Sequence, residues 1–489
     1  MGTREQLWDL KIRCAQERCQ ALAAGIAGLQ SRIQTTPAAG TVIRAINDAV
    51  QALQQYLGDL LHSPDLDLLT ETELEAKIHF AARNLPVLYR LLGLVEHSDV
   101  SAVPAELIVP LRRELQNLFP DAELLVVASP TLNYSVLELS QYLRRIFENL
   151  NHAIPKYLPE SVFRASIPSV EYDQGLLHCI LAHEIGHPLY DLHHIEDKVM
   201  PISIEATHLQ EAYHQAQREF AEQIAPGAQK QFPFDELRFK RYVTWTVNEM
   251  LPNWVQELAA DLFGFMLFGP AYLFAFIHFS QSFALLDSAS TSHPPDRERI
   301  RAMFRMLDRM YSADVFSQAT REFLDLWRQI ASRENADVQG VYEGVALKAI
   351  RDARVSDRLI DAVMAAMRPE QCYNAQRYRD DCGALGELID AQIPPAEVMD
   401  PATGQTRAAT ITGILNAGWD RFLSGLLRFK EQVRDGSGMA PFDLTLRFNR
   451  FLLKSMELND AVIAWGKAKD DIINRQSAGP DAECSYSPR

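Results

Sequence analysis

Residues 176–188 read LLHCILAHEIGHP, and the reading of the whole chain turns on them. Within the stretch, His183-Glu184-Ile185-Gly186-His187 is an H-E-x-x-H. In a helix, residues i and i+4 share one face, so His183 and His187 can reach one metal ion together. Glu184 follows the first imidazole and is placed to take a proton from a water held at that ion. Leu176, Leu177, Cys179, Ile180, Leu181 and Ala182 are apolar. That pattern predicts a buried helix whose His pair faces a cleft. With 13 histidines in 489 residues, chance supplies about 0.02 such motifs in a chain of this composition. The competing reading is two structural histidines.

A three-coordinate protein site needs a third ligand. Glu257 and Asp261, again i and i+4, lie among Trp254, Val255, Leu258, Leu262 and Phe263. Two acids in so apolar a helix require a partner, because a buried unpaired carboxylate is costly. One of them can bind the ion. The other can accept the free N–H of a ligating imidazole and fix its tautomer. A third constellation is Ser292-His293-Pro294-Pro295-Asp296-Arg297-Glu298-Arg299-Ile300. The prolines pre-set a turn into a helix. His293 and Arg299 are suitable donors for a developing oxyanion; a surface turn with helix-capping residues is the alternative.

Outward from these motifs the chain is mainly helical. Residues 4–33, 42–61 and 70–85 carry apolar positions at helical spacing, with Thr70 and Glu73 as a capping box and Pro86 as a kink or stop. These stripes are packing faces, with partner binding as the second reading. Residues 123–128 predict a strand, and residues 135–150 a helix. Residues 162–167 predict a second strand with Phe163, Ala165 and Ile167 on one face and Arg164 and Ser166 on an exposed one. A helix is expected to begin near Gln174. After Asp296 the pattern is helical to about Gln476. The organisation that follows is a helical region at 1–119, a core at 120–310, a helical domain at 311–476 and a flexible tail at 477–489.

Lys and Arg number 48 and Asp and Glu 64, giving a net charge of −16. With no basic stripe, such a surface argues against nucleic acid and against a polybasic membrane patch. Six scattered cysteines without a C-x-x-C and the lack of a visible secretory signal at residues 1–10 predict a reducing, cytoplasmic setting. The apolar run 262–279, interrupted by Gly264, Gly269 and Pro270, is read as a kinked buried helix rather than a membrane span.

The order H-E-x-x-H, E-x-x-A-D, H-P-P-x-x-E-R-I resembles the gluzincin metallopeptidases, specifically the CAAX prenyl proteases and their soluble relatives. The match covers roughly residues 120–310. The resemblance implies an α+β, predominantly helical, zincin-like core with a small sheet. It implies zinc on His183, His187 and Glu257, with Glu184 as general base. It also implies Asp261 supporting a ligating His, and His293 and Arg299 stabilising the transition state. Strand 162–167 is then placed to bind substrate by β-addition. The lack of a convincing span argues against CAAX processing itself.

Two departures qualify the match. Pro188 removes the hydrogen bond to the Glu184 carbonyl, so the helix should end or kink there. The gap from His187 to Glu257 is long, and its helical part at 205–224 is read as a lid. His193, His194, His208 and His214 in that gap are read as solvated or packing residues, with a second metal site as the alternative. The functional expectation is a zinc metallopeptidase acting on a peptide or protein substrate, latent if the flanking helices restrict access. The alternative is a helical interaction module retaining a structural metal site.

Overall fold

The computed structural model describes residues 3–31, 36–63, 69–98, 105–131, 134–223, 235–283, 286–333, 340–399, 404, 406–432 and 439–477. The fold is mostly helical with a small sheet. Two compact units divide at Asp173 and Gln174. The division falls inside the expected 120–310 core and assigns the small sheet and the H-E-x-x-H to different units. Most of the expected tail lies outside the described residues.

In the first unit, helices Thr3–Gln30, Pro37–Leu61 and Glu71–Glu96 pack together. Leu22, Ile46, Val50, Leu53 and Leu88 are fully buried among them. The capping box forms as expected: the Thr70 hydroxyl accepts from the Glu73 amide, and Glu73 accepts from the Thr70 amide. Pro86, expected to kink or end its helix, lies inside one that runs on to Glu96. Leu85, Leu88 and Leu91, buried on both sides of it, outweigh one lost hydrogen bond.

The unit's sheet has strands β1 (Glu123–Ser129), β2 (Ser135–Glu138) and β3 (Val162–Pro168) in the order β1-β3-β2. β3 runs parallel to β1, with Val126 opposite Ala165, and antiparallel to β2, with Val136 opposite Ala165. Two expectations are corrected here. β2 opens the stretch expected to be a helix, which begins only at Ser140. β3 is the central strand, with neighbours on both edges, so a substrate strand has no free edge on it to join. Nor is its second face exposed: Ser166 is buried, and Arg164 is half-buried and donates to the Ser135 hydroxyl at 2.9 Å.

The second unit is built around helix Glu236–Phe268, whose residues from Trp254 to Phe268 are almost all buried. The motif helix, Leu181–Leu192, packs along it. Helices Pro270–Phe283, Asp296–Met310 and Val355–Ala366 pack on other sides. The approach of the first two is set by Gly186. A Cβ there would stand 2.6 Å from both Cα and O of Ala260. Gly186→Ala therefore forces the helices apart; a stability loss of about 1–3 kcal/mol is expected in urea unfolding, as for an overpacked core.

The apolar run 262–279 is buried but broken rather than kinked. Gly269 has φ of +61° and ends one helix, and Pro270 begins the next. Among the described residues, no helix is long and apolar enough to cross a membrane. The helix expected near Gln174 begins as a 3-10 turn, Gly175–Ile180, and becomes α-helical at Leu181. The region after Asp296 is not wholly helical: β4 (Glu397–Met399) and β5 (Thr406–Ala408) form a short antiparallel pair. β4 lies inside the stretch 393–404 that the sequence marks as a helix break.

Candidate metal centre

The motif helix, expected to end or kink at Pro188, does not end there: it continues one turn to Leu192. Leu189 and Tyr190 in that turn are buried, and their packing holds it despite the missing N–H. His187 therefore stays on the helix, one turn below His183, and the two rings meet edge to face at 4.8 Å.

Helix Glu236–Phe268 brings Glu257 to this pair. One ligand atom from each of His183, His187 and Glu257 lies within 4.8 Å of the others. His183 Nε2 is 3.2 Å from Glu257 Oε2, and His187 Nε2 is 3.6 Å from Glu257 Oε1. Two ligands each about 2 Å from a tetrahedral ion stand roughly 3.3 Å apart. Glu257 Oε2 is buried and, despite its short distance to His183, receives no well-directed hydrogen bond. That is the arrangement expected where the lone pairs of both atoms address a third centre. The donor set and its spacing fit a divalent metal.

Asp261 does something different. It is wholly buried, and four hydrogen bonds converge on it. Its Oδ1 accepts from His183 Nδ1 at 2.9 Å, from the Tyr272 hydroxyl at 2.6 Å and from Arg299 Nη2 at 2.8 Å. Its Oδ2 accepts from Arg299 Nε at 2.7 Å. Oδ1 is thus fully engaged, and Oδ2 is turned to Arg299. The two acids differ in place: Glu257 faces the His183–His187 pair, whereas Asp261 holds the Nδ1 side of His183, whose Nε2 is turned toward Glu257.

The electrostatics follow from burial opposed by pairing. Burial pulls His183 down, but the hydrogen bond to Asp261 and the negative charges of Asp261 and Glu257 outweigh this and raise it to about 10. His187 is lowered to about 4 by burial and by the charge of His183. Burial would raise Glu257; His183, Arg299 and His187 together hold it at about 2. Burial likewise opposes the charge on Asp261, and Arg299 with His183 keeps its carboxyl well below the usual range.

Helix Asp296–Met310 supplies Arg299, which is buried with its guanidinium 4.5 Å from the Phe276 ring. Its Nε and Nη2 are committed to Asp261, with Nη2 3.7 Å from Glu257 Oε2. Arg299 was expected beside His293 as a donor toward substrate; here it grips Asp261. His293 differs. Its side chain is 56% exposed, and its Nε2 reaches to 3.6 Å from Glu257 Oε2. The turn that carries it is fastened to the Glu257 helix: Trp254 Nε1 donates to the Ser290 carbonyl at 2.9 Å, and Asn253 Nδ2 to the Thr291 carbonyl at 3.3 Å. Glu184 is half-buried on the motif helix, next to His183.

The other histidines of the cluster lie elsewhere. His193 stacks on Phe263, His194 is exposed, and His214 contacts Gln210. His208 Nε2 is 3.0 Å from Asp352 Oδ2, and Glu205 completes a second group of ligand-type atoms within 4.8 Å. Both carboxylates are exposed. Lys348 pairs with Glu211 alongside. The group thus belongs to a row of ion pairs joining helices Ala206–Gln223 and Val341–Asp352. Cys179 is fully buried, and burial pushes its thiol up, as befits a packing residue.

Sequence reasoning missed Tyr272, Phe276 and the spacing role of Gly186. Tyr272 and Phe276 sit in the apolar run, where nothing but packing was legible. Comparison with protein families, with curated proteins and with solved structures gave no match.

Proposed function

We propose that this chain is a zinc-dependent metallopeptidase of the gluzincin kind, with His183, His187 and Glu257 as ligands. The supporting observation is that one ligand atom from each of these three residues lies within 4.8 Å of the others, while the buried Glu257 Oε2 receives no directed hydrogen bond. A zinc ion held there would supply Lewis acidity toward a peptide carbonyl and toward an attacking water. Glu184 takes the proton from that water and passes it to the departing amine. The C–O bond forms first, as the carbonyl electrons move onto oxygen; their return breaks the C–N bond, leaving a carboxylate and an amine. His293, exposed beside Glu257, donates a hydrogen bond to the carbonyl oxygen as its charge develops. Asp261 keeps His183 in the tautomer that leaves Nε2 free.

The test is zinc-loaded protein acting on unfolded casein, with product release followed by mass spectrometry. Cleavage that stops on chelation and returns with zinc supports the reading. Intact casein at full zinc loading contradicts it. Glu257→Ala is expected to lose the zinc that wild-type protein retains through desalting; zinc retained in that variant would remove Glu257 from the ligand set.

A further inference from the structure

We infer that Tyr272 is a positioning residue for the metal ligand His183, acting through Asp261. The inference rests on the metallopeptidase reading above. Tyr272 stands on helix Pro270–Phe283, in a run whose composition offers only packing. It is completely buried, and its hydroxyl donates to Asp261 Oδ1 at 2.6 Å, the same oxygen that accepts from His183 Nδ1 at 2.9 Å. A hydrogen bond to a carboxylate at this length is charge-assisted and strong.

Three helices thus place donors on one carboxylate carried by a fourth. The motif helix brings His183, helix Pro270–Phe283 brings Tyr272, and helix Asp296–Met310 brings Arg299. Arg299 holds both oxygens and sets the plane of the carboxylate. Tyr272 then fixes Oδ1 against the remaining freedom, a tilt toward or away from the imidazole. Its ring is also wedged at the helix contact. A Cβ on Gly264 would lie 3.2 Å from Tyr272 Cε2 and 3.1 Å from the His183 amide nitrogen. The ring and the backbone of His183 are therefore set by the same close packing. Tyr272 governs where Oδ1 sits, Oδ1 governs the orientation of the imidazole, and that orientation aims Nε2 at the ion.

Tyr272→Phe removes the hydroxyl and keeps the ring. Zinc affinity is to be measured by competition with a chromophoric chelator, and the visible spectrum of the cobalt-substituted protein recorded alongside. Loss of a partner behind a ligating histidine typically weakens metal binding 10–100-fold. The variant is expected to bind zinc at least about 10-fold more weakly and to show a shifted cobalt spectrum, a change that a packing role would not produce. Should Phe fail to fold, histidine-labelled wild-type protein gives a second readout by nitrogen NMR: His183 is expected to show a protonated Nδ1 in slow exchange with solvent, and rapid exchange there would overturn the inference. Unchanged zinc affinity and cobalt spectrum in Tyr272→Phe overturn the inference and leave the metallopeptidase reading standing. Wild-type protein that takes up no zinc overturns both.

Discussion

Glu184→Gln is expected to hold zinc as tightly as the wild type and to cleave peptide bonds roughly 10²–10⁴-fold more slowly, the usual contribution of a general base. Glutamine matches glutamate in shape but accepts no proton at neutral pH. Glu184 lies outside the ligand triad, so the substitution leaves His183, His187 and Glu257 in place. The comparison of metal content with turnover in one variant separates the base from the ligands. Turnover equal to wild type would sink the mechanism, and loss of zinc would place Glu184 among the ligands.

Asp261→Ala is expected to cost about 3–5 kcal/mol of folding stability, the range for removing one partner of a buried ion pair. The buried Arg299 guanidinium would lose the acceptor of both its short hydrogen bonds, and the buried Tyr272 hydroxyl would lose its acceptor as well. Replacing both members of the pair, Asp261→Leu with Arg299→Met, is expected to cost less than Asp261→Ala alone, because no buried charge is then left unpaired. Urea unfolding of the three proteins measures this directly. A loss below about 1 kcal/mol in Asp261→Ala, the level of an exposed pair, would contradict the description of Asp261 as the node joining four helices.

What was legible in the sequence was what depends on local period. The i, i+4 spacing of His183 with His187 and of Glu257 with Asp261 placed each pair on one helical face, and the structure brings the two faces together. The Thr70 capping box is a contact over three residues and was equally readable. The division of labour between Glu257 and Asp261 was not, because it depends on which acid meets Arg299, and 38 residues separate Asp261 from that arginine. Tyr272 was hidden for the same reason: an apolar run says that a residue is buried, not that its hydroxyl finds a carboxylate 11 residues away.

The misreadings share a cause. Pro86 and Pro188 are expected to kink or end their helices because each removes a hydrogen bond, yet buried neighbours, Leu85 and Leu88 for one and Ile185 and Leu189 for the other, carry both helices on. The centrality of β3 depends on β2, a four-residue strand too short to separate from the helix that follows it.

The most direct test of the account is the zinc content of the purified protein, measured by elemental mass spectrometry with Glu257→Ala beside it. One zinc ion takes three protein ligands and leaves a position open in a catalytic site. The account predicts about one zinc per chain in the wild type and its loss in the variant. Protein that binds no zinc, even when refolded or dialysed with it under reducing conditions, would contradict the assignment of His183, His187 and Glu257 as a metal site.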